Sequence, residues 1–145
     1  MSILGIEFTV SREVNAGQVD RIWQVLSDVS NMPRYWRGHR EVEIVGRDGD
    51  AYLVKIRFAF PGPGNRGIAR IVVSNDEKVV LINYLEGPIR GYVRNYVSEN
   101  QLVSQWNVRI TPLFLLMKPW IRRHFMNGAI NALTRIVNET RPLTP

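Results

Sequence analysis

The sequence predicts an α+β fold in which an antiparallel sheet of about seven strands is covered by one long C-terminal helix. Three observations lead there. From residue 40 to 111 the chain is strand pattern after strand pattern, and the separators are turn chemistry: Asp48-Gly49-Asp50, a Pro-Gly loop at 61–67, Asn75-Asp76, Gly87-Pro88 and Glu99-Asn100. Connections that short join antiparallel neighbours, because a parallel pair needs a crossover of a dozen residues or more. The last thirty or so residues then change period, to i, i+3, i+4. No internal repeat or Ser- or Gly-rich linker interrupts the chain, so residues 1–145 read as a single domain.

Ile6, Phe8 and Val10 alternate with Glu7, Thr9 and Ser11, the period of a half-buried strand. Asn15-Ala16-Gly17 ends it, and Val19, Ile22, Trp23 and Leu26 follow at helical spacing up to Asp28. Asn31–Trp36 reads as a second, short helical turn ending near Gly38. The strand segments are Glu41–Arg47, Tyr52–Phe60, Gly67–Ser74, Val79–Leu85, Ile89–Ser98 and Leu102–Thr111. In the terminal helix one stripe runs Leu116, Met117, Trp120, Ile121, His124, Phe125, Gly128, Ala129, Ala132, Leu133, Ile136, Val137, and Arg122, Arg123, Asn127, Asn131, Arg135 and Asn138 lie opposite. Pro119 either opens this helix or kinks it.

The turns also set a register. A two-residue loop at Glu99-Asn100 pairs Val97 with Leu102, Asn95 with Ser104, Val93 with Trp106 and Gly91 with Val108 on the covered face. The same logic brings Tyr84 to Gly91 and Ile82 to Val93, and points Ile44, Val54, Ile56 and Phe58 inward. The helix offers the small residues Gly128, Ala129 and Ala132 to this face, and the sheet offers polar Asn95 and Ser104. Two arrangements satisfy that pattern: an apolar hollow with a few polar groups, as in a small-molecule site, or a tight core in which Asn95 and Ser104 bond to one another.

Composition removes whole classes of chemistry. The chain has no cysteine, so disulfides, thiol nucleophiles and thiolate metal sites are out. Its two histidines and scattered carboxylates show no metal-ligand spacing, and no metal or other cofactor is expected. No Ser–His–acid order with a nucleophile elbow is present. The Pro61–Gly67 loop lacks the Gly-Lys-Ser/Thr end of a phosphate loop and reads as a lip over the hollow. The N-terminus has no basic region followed by an apolar one, and no apolar run reaches membrane-spanning length, so a cytoplasmic protein is expected.

Individual residues carry alternatives. His124, on the helix stripe, either polarises a carbonyl or takes a proton at the hollow, or is a satisfied core histidine. Tyr84 shares that face, with Glu86 two positions on either beside it or in solvent. His39 falls just after the short helix, near a pocket mouth, with plain surface as its other reading. The net charge of +6 allows an anionic partner. Leu113–Met117 exceeds what one helix face can bury; it either closes the mouth, makes a dimer contact or dips into a membrane, where Lys118, Arg122 and Arg123 suit anionic headgroups, or packs against the first helix. Arg90, Arg94, Arg109, Tyr92 and Tyr96 form a cross-strand patch on the outer face. Arg–Tyr stacking explains it without nucleic acid, and the acidic residues are too dispersed to leave one strongly polarised face.

The order of elements resembles the helix-grip fold of the START and Bet v 1-like superfamily, also called SRPBCC or polyketide cyclase/dehydrase-like. The residues that carry the likeness are Phe8–Val14, Val19–Asp28 with its Trp23 and Leu26-Ser27-Asp28, Met32-Pro33-Arg34-Tyr35-Trp36, Val42–Val45, and Gly87–Gly91 entering a hairpin. The likeness covers essentially the whole chain and specifies fold rather than chemistry. It implies a curved sheet wrapped around the long helix, with a ligand cavity between them, and members that bind lipids, quinones or polyketides, a minority of them enzymes. Trp36, Phe58, Tyr84, Asn95, Trp106, Trp120, His124 and Phe125 stand in the corresponding places. The aromatase/cyclase branch uses a pocket arginine; here Arg70 is the nearest candidate, and the register turns it outward.

Three functions follow as expectations. The first is a non-enzymatic carrier or receptor for a small hydrophobic molecule, lined by Phe58, Tyr84, Asn95, Ser104, Trp106, Trp120, His124 and Phe125, with Tyr84, Asn95 and Ser104 orienting one polar group. The second is a cyclase- or dehydratase-type enzyme using His124 or Tyr84. The third is an adaptor that binds protein or RNA through the Arg/Tyr face. Monomer and homodimer are both compatible with the sequence.

Overall fold

The computed structural model describes residues 3–59 and 64–141; residues 60–63, on which much of the expected Pro61–Gly67 lip falls, lie outside them. The strands are β1 (Gly5–Glu13), β2 (His39–Asp48), β3 (Ala51–Phe58), β4 (Arg66–Ser74), β5 (Val79–Glu86), β6 (Ile89–Val97) and β7 (Gln101–Ile110). Helices α1 (Val19–Leu26) and α2 (Met32–Tyr35) stand between β1 and β2, and α3 (Lys118–Glu139) ends the chain. The strands form one antiparallel sheet in the order β1-β7-β6-β5-β4-β3-β2. This is the helix-grip arrangement: a meander whose last strand pairs with the first, with the long helix against the covered face.

The hairpin register follows the turns. Val97 pairs with Leu102, Asn95 with Ser104, Val93 with Trp106, Gly91 with Val108 and Tyr84 with Gly91. Val54, Ile56, Phe58, Ile82, Tyr84 and Val93 are all buried, as a two-residue period on a covered face requires. Glycine is demanded where backbones crowd. At Gly91 (φ +113°) a Cβ would lie 2.4 Å from the Asn107 carbonyl oxygen, and at Gly67 it would lie 2.5 Å from the Glu86 carbonyl oxygen and 2.9 Å from the Phe58 ring. The missing side chain at Gly67 on β4 leaves room for the Phe58 ring of the neighbouring β3.

Two expectations need correction. Ile44 pairs with Val54 but stays 39% exposed, because β2 is the sheet edge and slips register between Ile44 and Gly46. The apolar stripe of α3 is buried only in part. Ile121, Ala129, Ala132, Leu133, Ile136 and Val137 pack into the core, whereas Leu116 (97% exposed), Met117, Trp120, His124 and Gly128 do not. The periodicity is helical throughout, but the sheet does not cover the first turns. Pro119 sits in the first turn of α3 and opens the helix.

The C-terminal end of α3 is pinned. Gln18 Nε2 donates to the last-turn Val137 carbonyl (3.1 Å) and to Thr140 Oγ1 (3.2 Å), tying the helix end to the start of α1. Glu139 receives the Tyr35 hydroxyl (2.6 Å) and Arg34 (3.1 Å), and Arg135 donates to the Tyr35 carbonyl (2.8 Å). These bonds fix α2 to α3, and with it the turn that follows, which forms one wall of the site.

Candidate functional site

The residues after α2 do not continue the helix. Trp36 N–H closes its last turn on the Met32 carbonyl (2.9 Å), and His39 N–H then returns to the Trp36 carbonyl (3.0 Å). That tight return delivers His39 to the start of β2, opposite Phe58 on β3. One residue later the pairing slips, so Glu41 instead faces Arg57, to which it is ion-paired at 2.7 Å in solvent. The bulge separates an inward His39 from an outward Glu41.

A cavity of about 70 Å³ lies between this turn, the sheet and the middle of α3. Its lining is Trp36, Arg37, Gly38 and His39 from the turn, Phe58, Ala59, Ile89 and Trp106 from the sheet, and His124, Phe125, Gly128 and Ala129 from α3. A single water needs roughly 10–15 Å³ measured this way, so the space exceeds an ordinary packing defect. Arg37, His124 and Gly128 are exposed and mark the mouth. A side chain added at Gly128 would meet nothing within 4 Å.

Trp106 forms much of the floor. Its ring stacks on Phe8 (5.2 Å, 18°) and meets Phe125 at 5.4 Å. Its indole N–H donates to Ser104 Oγ (2.9 Å), and the Ser104 hydroxyl in turn donates to Asn95 Oδ1 (2.6 Å). Asn95 and Ser104 therefore bond to each other, the tight-core arrangement, and hold the indole from below without reaching the lining.

His39 and Tyr84 supply the buried polar part. His39 Nε2 lies 2.6 Å from Tyr84 Oη, both residues are almost fully buried, and their rings stack at 5.8 Å beside Phe58. Burial pushes the His39 imidazole down to about 4, with the Trp36 carbonyl opposing the shift, and pushes the Tyr84 phenol up. Both groups are neutral at physiological pH. His39 Nδ1 is the one buried side-chain polar atom, among the described residues, that lacks a hydrogen bond of good geometry.

Of the eight expected lining residues, the structure gathers Phe58, Trp106, His124 and Phe125 around the cavity. Tyr84 sits one layer back and touches it through His39. Asn95 and Ser104 lie beneath Trp106, and Trp120 lies outside, half exposed and stacked on His124 (5.0 Å, 7°). His124 is at the rim rather than in the core, and Glu86 and Arg70 are exposed. The residue that sequence reasoning undervalued is His39. Alternation gives no hint of it, because the bulge after it breaks the alternation. On the outer face, Arg94 stacks over the Tyr96 ring at 4.5 Å and donates to Gln105 at 3.2 Å. Among the described residues no group of three or more His, Asp or Glu could hold a metal ion, and no helix is long and apolar enough to cross a membrane.

An antiparallel sheet gripping a long helix over a largely apolar cavity defines a helix-grip protein. Residues 16–126 match the family described as polyketide cyclase / dehydrase and lipid transport, and the chain belongs to that family. Solved structures agree on the fold. The Zhui aromatase/cyclase from Streptomyces sp. R1128 is 18% identical with a TM-score of 0.67, over 94% of this chain and 92% of that one. The STAR-related lipid transfer protein from Xanthomonas axonopodis is 12% identical with a TM-score of 0.60, over 94% and 86%. Norcoclaurine synthase from Thalictrum flavum is 17% identical with a TM-score of 0.60, over 94% and 90%. At these identities the likeness is one of fold alone. No curated protein matches the chain by sequence.

Proposed function

We propose that the protein is a cytoplasmic carrier or receptor that binds a small hydrophobic molecule in the cavity between α3 and the sheet. The observation that carries this reading is the lining itself: aromatic and aliphatic surface from Trp36, Phe58, Ile89, Trp106 and Phe125, with one buried neutral polar pair behind it. Affinity comes from apolar area removed from water, about 25 cal/mol per Å². The volume suits one ring rather than a long chain, so a larger ligand enters only as α3 and the Trp36–His39 turn part. Native mass spectrometry with a panel of small phenols, quinones and aromatic ketones tests it. A saturable one-to-one adduct supports the reading, and no adduct with any of them rejects it.

A second reading is a cyclase- or dehydratase-type activity on an aromatic or polyketide substrate. The family description supports it, as does His124 at the mouth, where its ring can meet an entering substrate. Turnover that disappears in His124→Ala distinguishes an enzyme from a carrier, in which only affinity or stability changes.

Contact with a membrane surface is proposed from the start of α3. Leu113 is 86% and Leu116 97% exposed, Met117 and Trp120 are half exposed, and Lys118, Arg122 and Arg123 lie among them with no acidic residue between Glu99 and Glu139. Apolar anchors framed by cations fit an anionic bilayer.

A further inference from the structure

The partners of the His39–Tyr84 pair assign its protons. If Nε2–H donated to Tyr84, the buried Tyr84 hydroxyl proton would have no acceptor and Nδ1 would have no donor. If the Tyr84 hydroxyl donates to Nε2 instead, both of those atoms are satisfied and a single buried donor, Nδ1–H, is left over. The Trp36 carbonyl beside the ring favours a proton on Nδ1, although it makes no good bond to it and already accepts the His39 backbone N–H. A buried donor without a good partner is costly; His39 lines the cavity while its Nδ1 is covered in the ligand-free protein, so a ligand reaches that atom as the Trp36–His39 turn parts. Apart from His39 and the Trp36 indole, the lining side chains inside the mouth are hydrocarbon, or, for Trp106, an indole whose N–H is already held by Ser104.

We infer that the molecule bound in the cavity carries an uncharged hydrogen-bond acceptor of the carbonyl class, which receives the His39 Nδ1–H, while Tyr84 holds the imidazole in that tautomer. This rests on the cavity being a ligand site and adds the chemistry of the ligand. Tyr84 is a positioning residue here: it touches His39, not the ligand. A donor that is neutral at physiological pH suits a ketone, aldehyde or quinone oxygen better than a carboxylate, whose charge would lack a counter-charge inside the cavity.

Acetophenone and α-methylstyrene test this directly, because they share a shape and differ by a carbonyl oxygen against a methylene. The wild-type protein should bind acetophenone roughly tenfold more tightly, as one neutral hydrogen bond allows. The double variant His39→Phe/Tyr84→Phe, which leaves neither partner unsatisfied, should bind both probes alike. Long-range ¹⁵N spectra of the ligand-free wild type should show a protonated Nδ1 and an accepting Nε2. Equal affinities in the wild type, a carbonyl preference that survives in the double variant, or an Nε2–H tautomer would each overturn the inference with the cavity reading intact. Failure of both probes to bind anywhere in the cavity would remove the ligand-site reading and this inference with it.

Discussion

Tyr84 Oη and His39 Nε2 meet at 2.6 Å, although Tyr84 stands on β5 and His39 at the start of β2, at the edge of the sheet. The bond spans the two strands between them: Gly67 on β4 leaves room for the Phe58 ring, and Tyr84 stands opposite the small Ala69. It has consequences for stability as well as for binding.

Acid should weaken the fold in a window set by His39. The unfolded imidazole takes a proton near its ordinary 6.5, the folded one only near 4. In that interval the unfolded chain binds more protons, so stability is complete above pH 6.5 and falls as pH drops toward 4. The full span corresponds to about 3 kcal/mol. Urea midpoints from pH 7.5 to 4.5 should fall for the wild type and stay nearly level in His39→Phe/Tyr84→Phe; parallel slopes would refute the assignment. The exposed carboxylates of Glu41 and Glu139, held low by Arg57 and by the Tyr35 hydroxyl respectively, come into play only from the acid end of this window downward.

Ser104 supports Trp106. Ser104→Ala leaves the indole N–H without its acceptor and Asn95 Oδ1 without its donor, both buried. A loss of about 1–3 kcal/mol in denaturant stability is expected, with a shift in tryptophan emission. A loss below about 0.5 kcal/mol would show that the polar ladder contributes nothing.

Gly128 should be the place to close the cavity without harming the fold. Gly128→Leu adds carbon where nothing lies within 4 Å, and it replaces a helix-interior glycine, a gain of roughly 0.5–1 kcal/mol. Thermal stability should hold or rise while probe binding falls. Gly91→Ala makes the opposite case: its Cβ would sit 2.4 Å from a carbonyl oxygen at positive φ, and a cost of roughly 2–4 kcal/mol is expected on unfolding.

Membrane contact predicts co-sedimentation with phosphatidylcholine/phosphatidylserine vesicles that weakens with salt and is lost in Leu113→Ser/Leu116→Ser. Both side chains are exposed, so the fold should be untouched. Equal binding by the double variant would exclude this surface.

The sheet was legible because its turns are chemically explicit: Glu99-Asn100 and Gly87-Pro88 fix the pairing of Asn95, Val93 and Tyr84 to the residue. The site was legible in part. Phe58, Trp106 and Phe125 follow from period and register. His39 does not, because a bulge hides its direction and its partner is 45 positions away. Trp120 was misplaced for a different reason: helical period reports a face, not how far along the helix the sheet extends. Whether Asn95 and Ser104 faced a ligand or each other depended on a 2.6 Å contact that pattern alone does not reveal.

The most direct test of a ligand site in this cavity is a ¹H–¹⁵N titration of the protein with acetophenone. Saturable shifts should gather at the Trp106 indole, His39, Phe125 and Ala129. Shifts confined to Leu113–Trp120, or none that saturate, would contradict it.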